Sequence, residues 1–168
     1  EHFETGILPV GWINQDYNSS GDVWAFNNPG MRVNLTPGGE GGFAILDSDD
    51  YGFGRTQDAG LRTPMLNLSA FTTVILEFDA DYKYYSESPV VVRVSADNGS
   101  TWTDKWIKEL ANFNGHVTID LTSEAAGKSQ VIIEFKYTGS FGWWWEVDDV
   151  LITTGNCNPI PGGVVAGF

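Results

Sequence analysis

Four stretches of this chain alternate apolar and polar residues with a period of two, which confines the fold to one built mainly of half-buried β-strands. Val74, Leu76, Phe78 and Ala80 are separated by Ile75, Glu77 and Asp79, and Val90, Val92 and Val94 by Val91 and Arg93. Val117, Ile119 and Leu121 repeat the pattern, as do Val131, Ile133, Phe135 and Tyr137. Successive strand side chains point to opposite faces, so each stretch offers one face to a core and one to water. Asp97-Asn98-Gly99-Ser100 follows the second stretch and supplies residues that accept positive φ, which predicts a tight hairpin into a strand over Thr101–Glu109. Shorter strands are expected at Phe3-Glu4, at Val23-Trp24-Ala25-Phe26 and at Phe43–Asp47. An edge strand is expected over Leu61–Leu68, because Pro64 cannot donate to a ladder. Asp47 to Gly60 reads as a long loop, and only Ser123–Gly127 suits a helical turn. About ten short strands with turn signals between them predict an all-β fold, a two-sheet antiparallel β-sandwich of jelly-roll topology. It is expected to span residues 1–153, with 154–168 a Pro/Gly-rich linker or the start of a following module.

Composition narrows the partners. The 168 residues suit one domain with a real core. A net charge of −13 with only nine Lys and Arg excludes nucleic acid and anionic membranes as expected partners. No apolar run reaches membrane-spanning length. The single cysteine, Cys157, forbids an intradomain disulfide.

The last strong strand, Trp143 to Ile152, places three indoles beside Glu146, Asp148 and Asp149. Perfect alternation would leave neither of its faces uniformly apolar. One extra residue at Asp148-Asp149, a β-bulge, puts Trp143, Trp145, Val147, Val150 and Ile152 on one core face and splays the aspartates out of register. Bulges re-aim side chains at sites, so this strand points to a ligand, with a cation first.

Phe3-Glu4-Thr5-Gly6 with Leu8-Pro9 and Gly11-Trp12, Gly21-Asp22-Val23-Trp24, Leu61 to Leu68, Val94 to Trp102 and Val147-Asp148-Asp149-Val150 occur in that order. Together they resemble the cleaved-adhesin or choice-of-anchor J family of bacterial surface modules, with the closing strand shared in outline with MAM domains. The resemblance covers nearly residues 3–152. It implies a non-catalytic jelly roll, secreted or at the cell surface, attached to peptidases, glycoside hydrolases or adhesins and often carrying structural calcium. Three consecutive tryptophans depart from the mixed strand that such modules more often show.

Calcium takes six to eight oxygens, so a site must gather carboxylates or carbonyls from separate segments. First and last strands of a jelly roll commonly lie close, which could bring Glu4 to Asp148 or Asp149, and the resemblance favours the same residues. Asp47 and Asp49 could close that cage or could form an ordinary solvated turn. A second expectation comes from aromatic rings, which stack on sugars while nearby acids bind hydroxyls. Trp144, Trp102, Trp106 and Tyr84, with Glu146, are the candidates, and for Trp144 the alternative is a place beneath a loop. Catalysis is the weakest reading. His2 and His116 stand in no nucleophile–base context, and the paired carboxylates of a jelly-roll glucanase would need a glutamate where Leu151 stands. The partner expected is an extracellular protein or glycan, together with adjacent domains of a parent chain.

Overall fold

The computed structural model describes residues 1–85 and 87–156, and Cys157 with the rest of the expected linker lies outside them. Nine strands are described: β1 (Ile13–Asp16), β2 (Ala44–Asp47), β3 (Thr56–Arg62), β4 (Thr73–Tyr82), β5 (Val90–Ser95), β6 (Thr103–Lys108), β7 (Phe113–Asp120), β8 (Ile132–Ser140) and β9 (Trp144–Gly155). Two single helical turns, α1 (Ser48–Tyr51) and α2 (Thr122–Ala125), complete the elements. No helix among the described residues is long and apolar enough to cross a membrane. Every strand pairing is antiparallel, in a five-stranded sheet A ordered β1-β3-β8-β5-β6 and a four-stranded sheet B ordered β2-β9-β4-β7. The fold is the expected β-sandwich.

The alternating residues build the core as expected. Val74, Leu76, Phe78 and Ala80 of β4, Val90 and Val92 of β5, and Ile133, Phe135 and Tyr137 of β8 are all fully buried between the sheets. Trp145 sits at the centre, its ring 5.2 Å from Trp24 and 6.0 Å from both Trp106 and Phe135. Offset and edge-on ring pairs of this kind add to area burial. Asn98 and Gly99 take φ of 57° and 84° in the β5–β6 hairpin, whose turn Asp97 ties by accepting from the Thr101 amide at 2.8 Å.

The expected bulge is present. Glu77 faces Leu151 and Asp79 faces Asp148, so two residues of β4 span three of β9, and Asp149 adopts a φ of 52°. Trp145, Val147 and Val150 consequently share the core. Trp143 does not: it precedes the strand, 37% exposed, with its ring against Tyr85 and Trp144.

Several other expectations change. The strand expected over Leu61–Leu68 starts earlier, as β3, and lies inside sheet A between β1 and β8, while Pro64 falls beyond its end. Gln57 and Gly60 hid its alternation, because one is a buried amide and the other has no side chain. Buried Gln57 donates to Asp22 at 3.0 Å and accepts from Ser48. The expected loop therefore holds α1 and most of β3. Phe3-Glu4 and Val23–Phe26 are not strands, although Ala25 bridges Ile45 and Phe3 is fully buried. Three of the four outermost strands are blunt: β1 and β2 have four residues each, and β6 carries Asp104, Lys105 and Lys108, while β7 runs for eight residues.

Trp145→Ala should cost about 3–5 kcal/mol of unfolding free energy in denaturant titration, because the neighbouring rings cannot fill the void. Buried Asp22 is held below the usual carboxylate range, chiefly by the Arg55 guanidinium. Its contribution is present above the unfolded value near 3.8 and is lost as pH falls through the lowered folded value. Asp22→Asn should therefore flatten the acid limb of the melting-temperature profile.

Candidate functional site

The outer face of sheet A carries a row of charges that strand register places side by side. Glu134 on β8 stands directly opposite Arg62 of β3 on one side and Arg93 of β5 on the other. Alternation dictates this, because Ile133 and Phe135 face the core and turn Glu134 outward. Arg62 Nε donates to Glu134 Oε2 at 2.6 Å, and Arg93 Nε donates to Oε1 at 2.7 Å. The carboxylate is fully buried beneath the two guanidiniums. Gly60 makes room for it, since a Cβ there would lie 2.5 Å from the Glu134 carboxyl carbon.

Aromatic rings flank the row. The Tyr17 hydroxyl, just past β1, donates to Glu134 and accepts from Arg62 at 2.7 Å and Arg93 at 2.9 Å. Burial pushes the Tyr17 phenol up, and its bond to Glu134 adds to the shift, so the hydroxyl keeps its proton. Trp102 stands on the other side, with Arg93 4.6 Å and Arg62 5.2 Å from its ring centre. Lys136, two residues beyond Glu134, pairs with Asp58 and lies 4.2 Å from the Tyr17 ring centre. The face thus offers three cations against two carboxylates in a chain of net charge −13. Its polar groups are fixed by one another, which suits hydrogen bonding to a ligand without prior rearrangement.

Of the expected ligand-binding residues, Trp102 alone lies in this row. Trp106 turns inward and packs on Phe78, Phe113 and Trp145. Tyr84 is half-buried, edge-on to Tyr82. Trp144 is half-buried with the Arg32 guanidinium 4.3 Å from its ring centre, the covered position held as the alternative. Glu146 is fully buried on the outer side of sheet B, beneath the segment that carries Leu35.

The expected metal ligands divide into three groups. Asp47 and Asp49 both pair with Arg32, at 2.6 Å and 2.7 Å, and Asp47 also caps α1 by accepting from Asp50 N–H. Glu4 accepts from the Gly42 amide at 3.2 Å. The chain's beginning does run beside β9, where Glu1 and Val150 exchange backbone hydrogen bonds of 2.6 Å and 2.9 Å. There one ligand atom each from His2, Asp148 and Asp149 lies within 4.8 Å of the others. One imidazole nitrogen and two carboxylate oxygens, with His2 already bonded to Asp149, do not compose the all-oxygen shell that calcium takes.

Tyr17, Arg62, Arg93, Glu134 and Lys136 escaped the sequence reading. Arg93, Glu134 and Lys136 were visible as outward charges on strands, but only the register shows that they meet.

No protein-family model and no curated protein matches the sequence. Solved structures do match its fold. The K1 cleaved adhesin domain of Lys-gingipain from Porphyromonas gingivalis W83 superposes with a TM-score of 0.64 at 22% identity, over 93% of this chain and 97% of that one. The K3 domain of the same protein gives 0.63 at 19% identity, over 92% and 97%. TmCBM61, a carbohydrate-binding module solved in complex with β-1,4-galactotriose, gives 0.61 at 14% identity, over 92% and 94%. The chain has the fold expected from its resemblance to cleaved adhesin modules, and carbohydrate-binding modules share that fold.

Gly60→Ala should cost about 1–3 kcal/mol, as overpacking does, by pushing Glu134 out of its place between the arginines. Arg62→Ala in the same background should cost less than in the wild type, a coupling that a double-mutant cycle reads directly.

Proposed function

We propose that this chain is a non-catalytic, calcium-stabilised extracellular binding module, secreted or held at the cell surface, which anchors a larger enzyme or adhesin to a glycan. The ligand face is the outer side of sheet A. The observation that carries this reading is the Arg62–Glu134–Arg93 row, capped by Tyr17 and flanked by Trp102. Sugars present hydroxyls at their edges and C–H groups on their faces. Fixed guanidiniums match the first, and exposed aromatic surface matches the second. Tyr17 is 37% exposed, so it borders solvent beside the Lys136 ammonium that lies over its ring. The Trp102 indole is shared with the arginines and forms a wall.

A second reading, docking to protein, is favoured by a different feature. Phe53 is 88% exposed, Tyr85 51% and Trp143 37%, and their rings form edge-on or tilted pairs, Phe53 with Phe141 and Tyr85 with Trp143. Exposed aromatics gathered on loops are a common means of gripping a protein surface.

Binding of the chain to an array of plant, algal, bacterial and host glycans tests the first reading. A positive glycan should lose about tenfold or more in affinity with Tyr17→Ala or Trp102→Ala, and should keep it with Phe53→Ala. Capture of a protein ligand that Phe53→Ala abolishes, with every glycan silent, would move the function to the loop aromatics.

A further inference from the structure

Three margins of the sandwich are blunt, and the fourth is not. β7 closes sheet B with eight residues, Phe113 to Asp120, and pairs with β4 in unbroken register, without proline, lysine or bulge. Natural sheets protect a free edge with such devices, because its unpaired N–H and C=O groups template another strand. The Leu121 amide donates to Val74 O, one step beyond the Ile75–Asp120 pair, so alternation turns the backbone groups of Phe113, Gly115, Val117 and Ile119 towards β4. Those of Asn114, His116, Thr118 and Asp120 point away from the sheet. None of them bonds to another described residue, and all four side chains are exposed.

This edge is complementary to itself. Two copies of β7 can pair antiparallel about a two-fold axis, and the residue on the axis fixes every other partner. With Thr118 there, Thr118 meets its own counterpart, and His116 of each copy meets Asp120 of the other. Threonine pairs and opposite charges are favourable cross-strand partners. Both charges are in place: the bond to Asp79 holds the His116 imidazole above its usual range, and Thr122 holds the Asp120 carboxyl below its own. On the core side, Val117 of each copy lies beside Ile119 of the other, where the two residues are left 6% and 7% exposed. Other registers are poorer. An axis at His116 or Asp120 sets like charges opposite each other, and one at Val117 or Ile119 forms no ion pair.

We infer that β7 is the interface between two copies of this chain, joined antiparallel with Thr118 on the two-fold axis. β2, at the other margin of sheet B, has four residues, so pairing stops at two copies. The charges of β6 keep sheet A from pairing in the same dimer. The net charge of −13 opposes association, and physiological salt screens it beyond about 8 Å. An edge contact of this length is smaller than a standard interface, so the dimer is weak, dissociating at about 0.1 mM. Its axis runs perpendicular to the paired sheet, which turns both outer faces of sheet A the same way and lets two ligand faces act on one repeating glycan.

The experiment is sedimentation of the wild type, Thr118→Lys and Thr118→Cys at up to about 1 mM chain, with residue-resolved amide exchange of the wild type. Thr118→Lys sets two ammonium groups against each other on the axis, while Glu77 directly opposite on β4 accepts the new charge within one copy. It should melt no lower than the wild type and raise the dimer dissociation constant about tenfold or more. Amides of His116, Thr118 and Asp120 should exchange fast in dilute solution and slow as concentration rises, whereas those of Val117 and Ile119 stay protected throughout. Thr118→Cys, combined with Cys157→Ser, should cross-link into a dimer on oxidation. A wild type that stays monomeric, a dimer indifferent to Thr118→Lys, or one that Thr118→Cys fails to cross-link would overturn the inference. Protection of the same amides in a monomer by an added peptide of alternating apolar and basic residues would overturn it as well, and would give the edge to a foreign strand.

Discussion

One inserted residue in β9 sets the register of sheet B against the core it covers. Without Asp149 at positive φ, the strand could bury Val147 or Val150 but not both, because a shift of one residue turns every following side chain to the opposite face. With it, Trp145, Val147 and Val150 all enter the core, and Phe78 of β4 faces two residues instead of one. The same kink leaves Val150 free to bond Glu1, so the amino end continues the ladder past the place where β2 stops at Val147. The packing of β9 into the core and its pairing with the amino end both follow from that position.

Much of this was legible in the chain. Period-two runs located β4, β5, β7 and β8, Asn98-Gly99 located the hairpin, and the misfit of the Trp-rich strand with plain alternation located the bulge. What failed was local. β3 reads Thr-Gln-Asp-Ala-Gly-Leu-Arg, in which Gln57 is inside because Asp22 and Ser48 satisfy its amide, and Gly60 is a blank because Glu134 lies across it. Neither reason is visible without the partner strands. The candidate site failed in the same way: Arg62, Glu134 and Arg93 are 72 and 41 residues apart and meet only through pairing. Tryptophans are numerous, yet Trp106 and Trp145 are core, Trp144 lies beneath an arginine, and Trp102 alone joins the charged row.

The two outer faces handle buried carboxylates in opposite ways. On sheet A, Glu134 is wholly enclosed and wholly satisfied, by two guanidiniums and a phenol. Removing any one partner would expose the others to an unbalanced charge, which makes the row stiff and cooperative. On sheet B, acids outnumber bases among the buried groups, and relief is uneven: His116 serves Asp79, Arg32 serves Asp47, and an inner oxygen of Glu146 and of Asp81 is left over. Such a surplus costs stability unless a proton or a cation neutralises it, whereas the first arrangement is complete in itself.

The blunt margins of both sheets bear on how this protein behaves when crowded. Four-residue β1 and β2 give a stray strand little to lengthen against, and the charges of β6 oppose a flush approach along its side, which leaves eight-residue β7 as the longest open edge. Molecules packed densely beside one another are thereby discouraged from zipping into fibres along those three margins, where each keeps its own hydrogen bonds to itself.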